Sequence, residues 1–278
     1  MDLKPARSFH MHLVSDSTGE TLSAVAKAAA AQFEHVQPIE HIYALVRSPR
    51  QLERALSEIE ALPGIIMYTL INPALRTRLE ERCRELQLPC VPILDQVLGT
   101  LRNYLGTETH VEKPGIQHEL DAGYFRRMEA LTFTMAHDDG QQTQDLNKAD
   151  IVLVGVSRTS KTPTCIYLAN RGIKAANVPI VVGSPLPREL DQLDHPLVIG
   201  LTVSPERLVQ IRRNRLSAMG QSEDTDTDYV DLEVVRAETA AARRLFAIQG
   251  WPVIDVSRRA VEETAAAILN IYQRHVDD

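Results

Sequence analysis

The chain has little of what marks a specialised class. Among its 278 residues are 3 cysteines, Cys83, Cys90 and Cys165, and none stands in C-x-x-C spacing. Structural disulfides are therefore not expected. Cys83 and Cys90 are seven apart and could face one another, but reduced thiols in a cytoplasmic protein are the simpler reading. Long hydrophobic runs are missing too. The longest, such as IVLVGV at residues 151–156, fall far short of a membrane span. The N-terminal residues show no apolar signal-peptide core. No basic excess is present: the formal net charge is -7, which argues against a general nucleic-acid binder while leaving room for small basic pockets. The lone histidines lack metal-ligand spacing, and His10 and His12 alternate along a strand-like run, which suits a sheet face better than a zinc site.

What is there is the composition of a soluble globular protein, 44% apolar and 24% charged, long enough for two ordinary domains. Strand-like runs at residues 9–16, 39–46, 64–70 and 90–95 alternate with helical patterns at 18–33, 51–62, 73–86 and 97–104. This predicts a parallel α/β domain over residues 1–105. Residues 106–149 break the alternation and read as a connector. Its amphipathic stretch near 124–136 carries Tyr124, Phe125, Met128, Leu131 and Phe133, which call for burial. From residue 150 the alternation restarts, with strands at 151–156, 178–183, 197–203 and 251–256 and helices at 161–171, 186–193, 204–216, 232–249 and 260–275. Polar residues 217–231 read as an exposed loop. The second α/β domain, residues 150–278, is thus nucleotide-binding in type, because its first strand runs into a phosphate-loop pattern.

That pattern is GVSRTSKT: Gly155, Val156, Ser157, Arg158, Thr159, Ser160, Lys161 and Thr162. A phosphate loop curls backbone N–H groups around an anion at a helix N-terminus, where the helix dipole adds about half a positive charge. Lysine reaches the outer phosphates and the next hydroxyl can ligate Mg²⁺, a role for Thr162. Ser160 stands where the general pattern has a second glycine, so either a different curl or a tolerated strain is expected.

Phosphoryl transfer is mainly positioning and charge neutralisation, so cations should converge on the loop. Arg207 and Arg215 share a helical face with residue 211, and Arg212 lies close to it; all three are candidates to stabilise phosphate charge, with a solvated basic face as the alternative. The densest acid–base cluster is His137, Asp138 and Asp139, read either as a solvated turn or as the source of a general base, with the aspartates preferred and His137 second. SDSTGET at residues 15–21 could bind an anion at a helix N-terminus or simply cap the helix.

Together, SDSTGETL, AHDDG, GVSRTSKTPTCIYLAN, GLTVSPERL and WPVIDVSRRAVEETAAAIL resemble one family along almost the whole chain. It is that of the regulatory proteins of pyruvate, phosphate dikinase and of phosphoenolpyruvate synthase. The resemblance implies a bifunctional enzyme. It would phosphorylate a threonine of its partner with ADP as donor, and remove the phosphate with inorganic phosphate, releasing pyrophosphate. It implies ADP at residues 155–162, with Lys161 and a Mg²⁺ held by Thr162 neutralising charge. The family itself varies between Ser and Gly at position 160, and a loop short of one glycine could suit the two-phosphate tail of ADP. The wording favours pyruvate, phosphate dikinase as partner over phosphoenolpyruvate synthase, and a homo-oligomer is left open. The competing readings are a small-molecule kinase and a nucleotide-sensing adaptor that transfers nothing.

Overall fold

A computed structural model resolves the chain into two compact units, Met1–Glu119 and Leu120–Asp278, and describes residues 7–107, 122–181, 183–218 and 227–277. The first unit runs β1 (Arg7–Ser15), α1 (Glu20–Ala30), β2 (Val36–Tyr43), α2 (Pro49–Ala61), β3 (Gly64–Thr69), α3 (Pro73–Glu85), β4 (Cys90–Pro92) and α4 (Asp95–Leu105). Helices α2 and α3 begin where the sequence supplies a capping side chain and then proline. Ser48 accepts from the Gln51 N–H, and Asn72 accepts from the Ala74 and Leu75 N–H groups. The four strands are parallel in the order β2-β1-β3-β4.

Alternation along β1 divides its side chains between two layers. Met11 and Leu13 pack with Leu22 and Ala26 of α1, while Val14 faces Leu52, Leu56 and Ile59 of α2. His12 takes the same side as Val14. Its Nε2 donates to the Leu62 carbonyl at 2.7 Å, its ring stacks on His41, and burial lowers its pKa. Among the described residues no group of three or more His, Cys, Asp or Glu could hold a metal, and all three cysteines are free. Nor is any helix among them long and apolar enough to cross a membrane.

The second unit opens with α5 (Ala122–Ala136) and short 3₁₀ turns at Asp138–Gly140 and Thr143–Lys148. It continues β5 (Ile151–Val156), α6 (Lys161–Ala169), β6 (Ala175–Ile180), a 3₁₀ turn at Arg188–Gln192, β7 (Leu197–Thr202) and α7 (Pro205–Ala218). The last elements are α8 (Thr227–Val230), α9 (Leu232–Gln249), β8 (Val253–Asp255) and α10 (Val261–Asp277). These strands are also parallel, in the order β6-β5-β7-β8. Helices cover β5 and β7 on both faces, so every residue of IVLVGV and LVIGLT is buried and the apolar runs are continuous. Helix α9 reaches β7 closely at Gly200, where a Cβ would lie 2.6 Å from the Phe246 ring.

Four expectations change. The strand expected at 39–46 is Val36–Tyr43, set by the pairing of Tyr43 with Val14. The strand expected at 178–183 is Ala175–Ile180 instead, set by the pairing of Ala175 with Ile151, so that Asn177 lies inside a buried strand. Of the polar stretch 217–231, residues 219–226 lie outside the described residues, and Thr227–Val230 forms the helical turn α8 rather than loop. In α5 the residues that go inside are Ala130 and Thr134, while Phe125 and Met128 are 61% and 40% exposed. Small side chains let the helix lie close to β6, and the Thr134 hydroxyl donates to the Ala175 carbonyl at 2.8 Å.

Candidate functional site

One residue before the end of β5, Gly155 stands where nothing larger fits: a Cβ there would lie 2.7 Å from the Leu201 carbonyl oxygen and 2.9 Å from Thr159 Oγ1. The chain then turns through Ser157–Arg158–Thr159–Ser160 into α6. Thr159 is buried and its hydroxyl donates to the Val156 carbonyl at 2.9 Å. Two residues take left-handed angles without being glycine, Arg158 (φ 72) and Ser160 (φ 59, ψ 25). Of the two expected alternatives, the tolerated strain is what forms: Ser160 adopts the angles a glycine would. No side chain caps the first turn of α6, and since Pro163 has no N–H, the Lys161 and Thr162 N–H groups are the ones left for a ligand there.

Ser160→Gly should therefore stabilise the protein. Relief of a left-handed residue gives back about 1–2 kcal/mol, and the freer unfolded chain takes back roughly 0.5–1. A Tm rise of about 2 °C is expected by calorimetry. A drop in Tm would show that the Ser160 side chain contributes contacts that outweigh the strain.

Lys161, the first residue of α6, is 5% exposed and folds back under the loop, donating from Nζ to the Gly155 and Val156 carbonyls at 2.9 Å each. Burial pushes its pKa down to about 8, against the opposing pull of Asp139 and Asp138. Thr162 points to the acidic segment, and its hydroxyl donates to Asp138 Oδ1 at 2.9 Å.

Asn177 of β6 gathers the hydrogen bonds of that segment. The Asn177 N–H donates to the His137 carbonyl at 3.0 Å. Its side-chain amide donates to Asp138 Oδ1 at 2.6 Å, to Thr162 Oγ1 at 3.0 Å and to Asp139 Oδ1 at 3.4 Å. Asp139 sits at φ 50, ψ 40, a strained conformation of the kind that clusters at functional sites. An open cleft of about 320 Å³ results, lined among others by Asp139, Ser160, Lys161, Thr162, Asn177 and Ile211. His137 is not among its lining residues. It is buried, stacked on Phe133 at 3.8 Å between ring centroids, with Nδ1 donating to the Phe133 carbonyl at 2.8 Å.

The arginines separate. Arg212 is buried and engaged: it pairs with Glu238 of α9 at 2.8 Å, donates to the Tyr229 and Ser157 carbonyls at 3.1 and 3.3 Å, and lies 4.5 Å over the Tyr229 ring. It therefore clamps the start of the loop to α8 and α9. Breaking such a buried pair from one side costs about 3–5 kcal/mol. Arg207 and Arg215 are exposed, one turn either side of the cleft-lining Ile211 on α7. Arg158 lines the cleft, and its Nε donates to the Tyr229 hydroxyl at 3.3 Å.

In the first unit, SDSTGET is internally bonded. Asp16 Oδ2 accepts from the Ile71 N–H at 2.7 Å, and Ser15 Oγ accepts from the Ser17 N–H and the Thr69 hydroxyl. Burial raises the pKa of Asp16. Sequence reasoning missed Asn177, Tyr229 and Glu238. Only the first left a signal, a lone amide inside the apolar run AANVPI.

Chemically the cleft combines an anion-receptive helix start, a buried lysine, the Asp139 carboxylate and a hydroxyl that is bonded to a second carboxylate, Asp138, the components of phosphoryl chemistry. Comparison with known proteins points the same way. Residues 11–269 match the family described as Kinase/pyrophosphorylase. A protein of Caulobacter vibrioides named as a pyruvate, phosphate dikinase regulatory protein is 58% identical, covering 96% of this chain and 84% of that protein. Proteins of the same name from Maricaulis maris and Hyphomonas neptunium are 57% and 56% identical. They cover 95% and 96% of this chain, and 93% and 95% of their own lengths. The chain belongs to the kinase/pyrophosphorylase family.

Proposed function

We propose that this protein is a bifunctional regulator of pyruvate, phosphate dikinase. In one direction it transfers the β-phosphoryl group of ADP to a threonine of that enzyme. In the other it removes the group by phosphorolysis. The observation that carries the reading is the convergence of Lys161, Thr162 and Asp139 on one cleft, with Asp138 bonded to Thr162 behind it.

The roles follow from position. The free N–H groups at the start of α6 and the Lys161 ammonium take the phosphates of ADP. Thr162 and Asp138, a hydroxyl and a carboxylate bonded to one another, are hard oxygen donors of the kind that suit Mg²⁺, which binds through one or two carboxylates plus substrate phosphates. When bound, Mg²⁺ neutralises charge on the transferring group. Asp139 faces the cleft and accepts the proton of the threonine hydroxyl as its oxygen bonds to the β-phosphorus and AMP departs. In the phosphorolytic reaction an oxygen of inorganic phosphate attacks the phosphothreonine phosphorus, the threonine oxygen leaves with the proton from Asp139, and pyrophosphate forms. One carboxylate can serve both reactions, because the oxygen it deprotonates in the first is the leaving oxygen it protonates in the second. His137, buried on Phe133, is not assigned as the base. Acting on a cytosolic enzyme with ADP, the protein works in the cytoplasm.

The test uses ADP labelled at the β-phosphate with purified pyruvate, phosphate dikinase, and phosphoenolpyruvate synthase in parallel. Label on a dikinase threonine, with loss of that enzyme's activity, is expected; added phosphate should then release the label as pyrophosphate and restore activity. Label on the synthase alone would change the partner. Label on neither protein would sink the assignment.

A further inference from the structure

Asn177 is an expensive residue where it stands. It is 1% exposed in the middle of β6, between Ala176 and Val178, where an apolar β-branched side chain would fit the strand better. Docking the acidic segment does not require its side chain, because its backbone N–H already donates to the His137 carbonyl. The side chain does something else. Its amide nitrogen is the common donor to Asp138 Oδ1 and Thr162 Oγ1, the two groups read above as facing a cation. A carboxylate only accepts, so this contact fixes the amide's orientation and turns its oxygen away. That oxygen, Oδ1, is buried without a donor among the described residues, on a side chain that lines the cleft. A ligand satisfying it has to bring a hydrogen or a positive charge. The phosphates of ADP are mostly deprotonated and negative at neutral pH, whereas a hydrated cation brings both.

We propose that Asn177 is the positioning residue of a Mg²⁺ subsite, holding Asp138 and Thr162 in register and offering Oδ1 to the cation's water. This rests on the nucleotide reading of the cleft. Groups that orient the ligands of a metal typically contribute 10–100-fold to its affinity. The experiment is calorimetric titration of ADP into wild type, Asn177→Ala and Asn177→Asp, in EDTA and across a Mg²⁺ series, with Tm measured in Mg²⁺ alone. For Asn177→Ala the Mg²⁺ needed to reach half of the full gain in ADP affinity should rise about tenfold, while affinity in EDTA stays as in wild type. Asn177→Asp keeps the size but sets a carboxylate against Asp138. Its metal-free Tm should fall, and Mg²⁺ alone should raise it by more than it raises wild type. Equal loss of ADP affinity with and without Mg²⁺ would reduce Asn177 to a prop for the loop and overturn the proposal, as would an unchanged Mg²⁺ requirement. Wild type that binds ADP without benefit from Mg²⁺ would overturn this inference but leave the ADP reading intact. Wild type that binds no ADP would overturn both.

Discussion

Lys161→Met is expected to remove ADP-dependent transfer, by about 10³-fold in kcat/KM, and at the same time to stabilise the metal-free, nucleotide-free protein near neutral pH. Both effects come from one fact, a buried cation that Asp139 and Asp138 compensate only in part. The side chain is 5% exposed, its partners are two neutral carbonyls, and burial pushes its pKa from 10.5 to about 8. The direction of the linkage is set by that depression. Between pH 8 and 10.5 the unfolded chain holds a proton that the folded chain has released, so stability rises with pH across this window. Below pH 8 both states are protonated, and the fold bears the whole cost of the buried ammonium, about 3 kcal/mol. The stabilisation by Lys161→Met should thus be largest at pH 7 and shrink toward pH 10 in thermal melts run with EDTA. Binding of ADP should take up a proton at pH 8.5, seen as a dependence of binding heat on buffer, and almost none at pH 6.5. A lysine variant less stable at pH 7 would show that its two carbonyl contacts outweigh its desolvation.

Asp139→Asn should leave ADP affinity within about threefold while lowering kcat by roughly 10²–10⁴, the usual contribution of a general base. The substitution is well matched to the site. Asparagine tolerates the left-handed angles that Asp139 adopts (φ 50), so the backbone is not asked to move. It keeps an oxygen that can accept from the Asn177 amide, and it loses only the ability to take a proton. In the proposed mechanism the same carboxylate returns the proton during phosphorolysis, so both reactions should slow by a similar factor when measured on the same phosphothreonine. Unequal losses would mean that kinase and phosphorylase reactions use different groups. Undiminished rates would remove Asp139 from the mechanism.

Much of the fold was legible because its signals are local. Continuous apolar runs such as IVLVGV and LVIGLT, capping residues such as Ser48 and Asn72, and prolines behind them fix strands and helix starts within a few residues of one another. The loop was legible for the same reason, as a contiguous pattern at a strand end. What a linear reading could not supply was pairing at a distance. It set β6 three residues late, since only the register with β5 shows that Ala175 begins the strand. It treated Arg212 as a phosphate ligand because nothing near it in sequence reveals Glu238 or Tyr229. It gave Phe125 and Met128 to a core that α5 meets through Ala130 and Thr134 instead.

The two sheets share one plan, β2-β1-β3-β4 and β6-β5-β7-β8. In each unit the first strand ends in hydroxyl-rich chain that leads into a helix with no side-chain cap. Yet in the first unit Asp16, Ser15 and Thr69 spend their hydrogen bonds on one another and on neighbouring backbone. In the second, the Lys161 amine is held under the loop by two of its carbonyls, and Asn177 keeps an oxygen that no donor among the described residues satisfies. The architecture is thus indifferent to chemistry. A short turn at one strand end decides whether the scaffold is merely a scaffold or an engine, and swapping that turn is a smaller evolutionary step than inventing a fold.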